Sequence, residues 1–166
     1  MTDAEATNEE PEHRSGFVSL VGRPNSGKST LLNQILGQKV SIVSDKPQTT
    51  RTQIRGVLTK PDFQLIFVDT PGIHKPRSAL GSSLNATAAA ATRSVDAVCL
   101  VLDATAPYGR GDEFIAKSLP SNAVIVVTKA DIAKPEQVLN QLSATSKLDA
   151  NAWFPVSGKT GEGVDA

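Results

Sequence analysis

Eight consecutive residues, Gly22-Arg23-Pro24-Asn25-Ser26-Gly27-Lys28-Ser29, fit the spacing G-x-x-x-x-G-K-[ST] without a mismatch. That spacing serves the grip of a polyphosphate. The glycines let the backbone turn tightly and approach an anion closely. The loop N–H groups and the N-terminus of the helix that follows then face the anion together. Lys28 can reach the β- and γ-phosphates, and the Ser29 hydroxyl can ligate Mg²⁺, with Thr30 next in the same turn. A chance glycine turn is the alternative. The flanks speak against it: Phe17 to Val21 is apolar and β-prone, and Leu31, Leu32, Ile35 and Leu36 recur at helical spacing.

Three further clusters sit at the ends of apolar runs. Asp69-Thr70-Pro71-Gly72 closes the run from Phe63. A carboxylate there needs a metal ion or hydrogen-bond donors as partner, unless it only initiates a turn. Thr128-Lys129-Ala130-Asp131 closes the run from Asn122, and Ser157-Gly158-Lys159 follows Ala152 to Val156.

The elements that must position these residues alternate in type. Strands are expected at Phe17–Val21, Gln53–Thr59, Phe63–Asp69, Ala97–Asp103, Asn122–Val127 and Ala152–Val156. Helices are expected from the phosphate loop to Leu36, over residues 82–94, from Gly111 to Leu119 and from Pro135 to about Thr145. Gly37 is a helix stop, and Pro135 suits a first helical turn. The short Lys60-Pro61-Asp62 turn makes the second and third strands a hairpin. The pattern predicts an α/β, Ras-like P-loop fold: three layers around a six-stranded, mostly parallel sheet with one antiparallel hairpin at its edge. Ligands of such sheets bind beyond the carboxyl ends of the strands, where every cluster above falls.

The 166 residues and 39% hydrophobic content suffice for one domain with a core. Residues 1–14 hold five acids and only Arg14 as a base, and read as a disordered acidic tail. Residues 15–166 form the nucleotide-binding domain. They keep 16 bases and 12 acids, too slight an excess to argue nucleic-acid binding. Cys99, alone in the chain, reads as an inert core thiol. No apolar run is long enough to span a bilayer. Residues 37–52 and 73–81 are polar and lack periodicity, as functional or mobile connections do.

In this order and spacing the motifs resemble a GTPase domain of the translation-factor-related P-loop class, in its TrmE-Era-EngA-like group, and the Era family most. Lys46 to Arg51 resembles the Era first switch, and Asp69 to Pro76 the second. Thr128-Lys129-Ala130-Asp131 fits the guanine-reading [NT]-K-x-D. Ser157-Gly158-Lys159 stands where the family usually has Ser-Ala-Lys. The guanine assignment has a physical basis. The Asp131 carboxylate can accept from guanine N1–H and N2–H₂ side by side, which adenine cannot offer. A site built on such donors rejects an analogue lacking them by roughly 10⁴–10⁵-fold. The Lys129 stem can lie along the base while its ammonium stays wet, and Thr128 braces the loop.

The resemblance implies hydrolysis of GTP to GDP. Lys28 and the loop amides hold phosphates, Ser29 and Thr50 ligate Mg²⁺, Asp69 holds it through water, and the Gly72 N–H touches the γ-phosphate. Thr49 is the alternative to Thr50. Ile73 stands where many relatives place a water-orienting glutamine, which implies slow turnover. Relatives with that replacement and an asparagine at the Asn25 position can use K⁺ as a charge surrogate. His74, Lys75 and Arg77 could meet RNA or simply be solvated. Two other readings stay open: a nucleotide-gated binding module with negligible hydrolysis, and a tRNA-modification or Der-type GTPase. The family implies a cytoplasmic monomer, with peripheral contact at the cell membrane. It also implies a C-terminal KH domain binding 16S rRNA in small-subunit assembly. No residue of that domain is expected here, and the chain reads as C-terminally truncated before a final helix that covers one sheet face.

Overall fold

The computed structural model describes residues 13–38, 53–69 and 95–165. Six strands form one sheet: β1 (Arg14–Val21), β2 (Gln53–Thr59), β3 (Phe63–Asp69), β4 (Ala97–Asp103), β5 (Ala123–Thr128) and β6 (Ala150–Pro155). Their order is β2-β3-β1-β4-β5-β6, with β2 and β3 antiparallel and all other pairs parallel. The described helices are α1 (Lys28–Leu36), α2 (Arg110–Ala116) and α3 (Pro135–Thr145). The helix expected over 82–94 and most of both polar connections lie outside the described residues.

Strand alternation builds two cores. In β4, Val98, Leu100 and Leu102 face one way, packing with Ile115 of α2 and with Val138 and Leu142 of α3. Val101 faces the other way with Leu31, and Val18 and Phe67 meet Leu32 on that same side. This is the period of two of a strand buried on both faces. The expected three-layer, Ras-like architecture is borne out. Gly56 lets β2 pass under α1, since a Cβ there would lie too close to the Leu36 side chain. Gly37 ends α1 in the left-handed conformation (φ 64°) that glycine adopts without strain.

Several boundaries move. Arg14, expected in the tail, begins β1: its N–H donates to the Asp62 carbonyl at 3.1 Å, so the hairpin turn extends the strand. Helix α2 stops at Ala116 rather than Leu119, because Leu119 precedes Pro120 and is biased away from helical backbone. Strand β5 keeps Thr128 in the ladder opposite Asp103. Strand β6 starts two residues early, as Ala150 pairs with Ala123 across a register shift. Cys99 is only half-buried and lines an apolar depression of about 920 Å³ between α1, the sheet and residues 160–165. Among the described residues no helix is long and apolar enough to cross a membrane.

Candidate functional site

The site is built on the carboxyl ends of β1, β4, β5 and β6. Between β1 and α1 the chain makes two tight reversals. A Cβ on Gly22 would lie 2.3 Å from the Val101 carbonyl oxygen, so only glycine fits there. Gly27 adopts φ 94° and caps α1, its carbonyl accepting from the Leu31 N–H at 2.8 Å. Asn25 is left-handed as well (φ 63°), a region asparagine tolerates better than most residues. The Lys28 ammonium folds over this loop, donating to the carbonyls of Gly22 at 2.9 Å and Arg23 at 2.6 Å. Ser29 and Thr30 are exposed in the first turn of α1, and Ser26 is buried.

The Thr128–Asp131 element is joined to this loop directly. Thr128 is 2% exposed. Its hydroxyl lies 2.6 Å from the Ser26 carbonyl and 2.9 Å from that of Leu102. Lys129 turns the chain out of β5 in a left-handed conformation (φ 61°), leaving Asp131 exposed. The Ala130 N–H donates to the Val156 carbonyl at 3.1 Å, which ties in the third loop. There Ser157 is fully buried, and its Oγ accepts from the N–H groups of Thr160 at 3.0 Å and Lys159 at 3.3 Å. Gly158 presses on α1: a Cβ would come within 2.9 Å of the Leu31 nitrogen.

The structure thus brings together Gly22 to Thr30, Thr128 to Asp131 and Ser157 to Lys159. Asp69 ends β3, but its side chain, Thr49, Thr50, Gly72, Ile73 and the His74–Arg77 cluster lie outside the described residues. Two contacts had no counterpart in the sequence reading. The Arg23 side chain leaves the loop to pair with the buried Asp112 carboxylate at 3.2 Å, which also accepts from the Gly109 N–H at 3.0 Å. Lys129 Nζ donates to Asp103 Oδ2 at 2.5 Å. Burial raises the Asp103 carboxyl, but hydrogen bonds from Lys129 and Thr105 outweigh it and leave it below its ordinary value. A polar cavity of about 70 Å³ lies behind the loop, lined in part by Arg23, Asp103, Asp112 and Gln141.

A glycine loop between strand and helix, hydrogen-bonded to a Thr-Lys-Ala-Asp turn on the next strand but one, defines a P-loop nucleotide-binding domain. The family model described as 50S ribosome-binding GTPase matches residues 17–129. GTPase Era of Nocardioides sp. (strain ATCC BAA-499 / JS614) is 46% identical over 94% of this chain and 53% of its own length. Era crystallised with MgGDPNP and nucleotides 1506-1542 of 16S ribosomal RNA superposes with a TM-score of 0.72 at 35% identity, over 93% of this chain and 54% of that one. A point variant of Aquifex aeolicus Era bound to GDP.AlF4- gives 0.70 at 36% identity, over 91% and 54%. The chain belongs to this GTPase family, and within it to the Era group. It spans about half the length of the Era proteins it matches.

Proposed function

We propose that this chain binds GTP and GDP with Mg²⁺ and hydrolyses GTP to GDP and phosphate, as a switch of the Era type. The observation that carries the reading is the 2.6 Å contact from Thr128 Oγ1 to the Ser26 carbonyl. It joins a loop suited to hold phosphates to a turn suited to read guanine, two ends that one nucleotide would span. The close approach at Gly22 also supports a rigid cradle, because it seats the loop's backbone directly against the Val101 carbonyl of β4.

In this reading the Gly22–Thr30 amides and Lys28 hold the phosphates. Asp131 accepts from guanine N1–H and N2–H₂, with Lys129 along the base and Ser157, Gly158 and Lys159 beside it. Ser29, Thr50 and Asp69 would hold Mg²⁺, which would supply charge neutralisation on the phosphates. The Gly72 N–H meets the γ-phosphate. Loss of that group leaves Thr50 and Gly72 without partners, and both switches relax. Asn25 is proposed as a K⁺ ligand, which equal turnover in KCl and NaCl would refute.

Calorimetric titration tests the core of this. GTP and GDP should bind, with ATP and ADP weaker by about 10⁴-fold. Equal competition by ATP, or no nucleotide binding in a folded sample, refutes the reading. Ile73, unable to orient a water, favours a second reading in which the chain only gates a partner by nucleotide. Single-turnover hydrolysis separates the two. For the whole protein, likeness to Era supports a cytoplasmic monomer that acts in small-subunit assembly through 16S rRNA, with peripheral contact at the inner face of the membrane. Absence from the small-subunit peak in both GTP and GDP would count against that role.

A further inference from the structure

Asp103 ends β4, opposite Thr128 in the ladder. Both of its carboxylate oxygens are engaged. Oδ1 accepts from the Thr105 N–H at 2.8 Å and the Thr105 hydroxyl at 2.6 Å, and Oδ2 accepts from Lys129 Nζ. From behind, the Gln141 side-chain amide on α3 donates to the carbonyls of Asp103, at 3.2 Å, and Ala106. The carboxylate is therefore a fixed point. Lys129 differs: its ammonium ends a flexible four-carbon stem with several rotamers, and 33% of the side chain is exposed. A pair this open contributes little to folding. Its consequence is local: it fixes where the Lys129 stem lies.

We propose that Asp103 is a positioning residue for nucleotide binding. It holds the Lys129 ammonium so that the stem is already laid out as a plate when a guanine base arrives. This rests on reading the site as a guanine-nucleotide pocket. Without the tether, binding must itself immobilise one rotamer-rich side chain, which weakens affinity by about 2- to 13-fold.

The test is a double-mutant cycle on GDP affinity in the intact protein, using Asp103→Asn, Lys129→Met and the pair. Asparagine keeps the shape and an acceptor for Thr105. Methionine keeps an apolar stem and drops the ammonium. Each single change should weaken GDP by about 2- to 13-fold, and the pair by no more than the larger single effect. A purely structural Asp103 would give losses that multiply. GDP affinity unchanged in Asp103→Asn, or multiplying losses, overturns the proposal while leaving a guanine-selective wild type intact. Should Asp103→Asn not fold, Lys129→Met decides alone, and unchanged affinity there also overturns it. A wild type that binds GDP and ADP alike overturns the reading of the site, and this inference with it.

Discussion

Replacing Thr128 by valine exchanges one hydroxyl for a methyl and leaves the side chain's volume and branching in place. The hydroxyl sits within hydrogen-bond distance of two carbonyls, Ser26 at 2.6 Å and Leu102 at 2.9 Å. It has a single proton, so it serves one of them at a time, and removing it deprives both. An unsatisfied buried polar group costs about 1–3 kcal/mol. In a domain of this size each kcal/mol moves the melting temperature by about 2–4 °C, so Thr128→Val should melt about 2–12 °C lower. Thr128→Ser is the control, losing a methyl worth about 0.8 kcal/mol while keeping the donor. The two variants separate most clearly in binding. Freed from Thr128, the Ser26 carbonyl no longer fixes the phosphate loop, and GDP affinity should fall about 5- to 30-fold in the valine variant. The serine variant should bind GDP nearly as the wild type does. Circular dichroism melts and calorimetric titration read both effects. A valine variant that melts and binds as the wild type does would show that something other than this hydroxyl joins the loop to β5.

Gly158→Ala pits an overpacking cost of about 1–3 kcal/mol, from the clash with the Leu31 backbone, against a gain of about 0.4–1 kcal/mol from a stiffer unfolded chain. The urea midpoint should fall, and a rise would mean that α1 gives way to the added methyl. Burial pushes the Cys99 thiol up to about 11, so at pH 8 iodoacetamide should modify the native chain about 100-fold more slowly than the urea-unfolded one. Comparable rates would contradict the shift. Because the raised value favours the protonated thiol in the fold, Cys99 contributes its full stability below the unfolded value, about pH 9, and loses it as pH rises towards 11. Cys99→Ala should flatten that part of the stability curve. Asn25→Gly keeps the left-handed backbone and removes the side-chain carbonyl, so any K⁺ stimulation of turnover should disappear. Stimulation that persists would remove Asn25 as the ligand.

The parts legible in the sequence are those whose signal is local. The phosphate loop needs its glycines and lysine at fixed spacing, and β4 and β5 show as unbroken apolar runs because both faces are buried. Boundaries were less legible, since they depend on distant partners. Arg14 joins β1 only because the hairpin turn supplies the Asp62 carbonyl, 48 positions away. The Arg23–Asp112 and Asp103–Lys129 pairs are 89 and 26 positions apart. Asp103 does carry a visible cue, an aspartate closing an apolar strand, the same cue that singles out Asp69. What hides it is the absence of a Pro-Gly turn after it. Its partner emerges only once β4 and β5 are known to be parallel neighbours, with Asp103 level with Thr128.

Asn25 and Gly158 mark a different limit. Each stands in a motif where a chemical role suggests itself, and each also answers to its backbone. Asn25 holds φ 63°, where asparagine is among the least strained non-glycine residues, so its identity needs no bound ion. Gly158 flanks the place of a base, and it also answers to packing, since a Cβ there would come within 2.9 Å of the Leu31 nitrogen of α1. A motif records that a residue type is required and is silent on which of two physical demands requires it. Only a substitution that satisfies one demand and not the other can separate them. For Asn25, glycine meets the backbone requirement and fails the coordination one. At Gly158, alanine leaves the loop's N–H groups in place and fails the packing one.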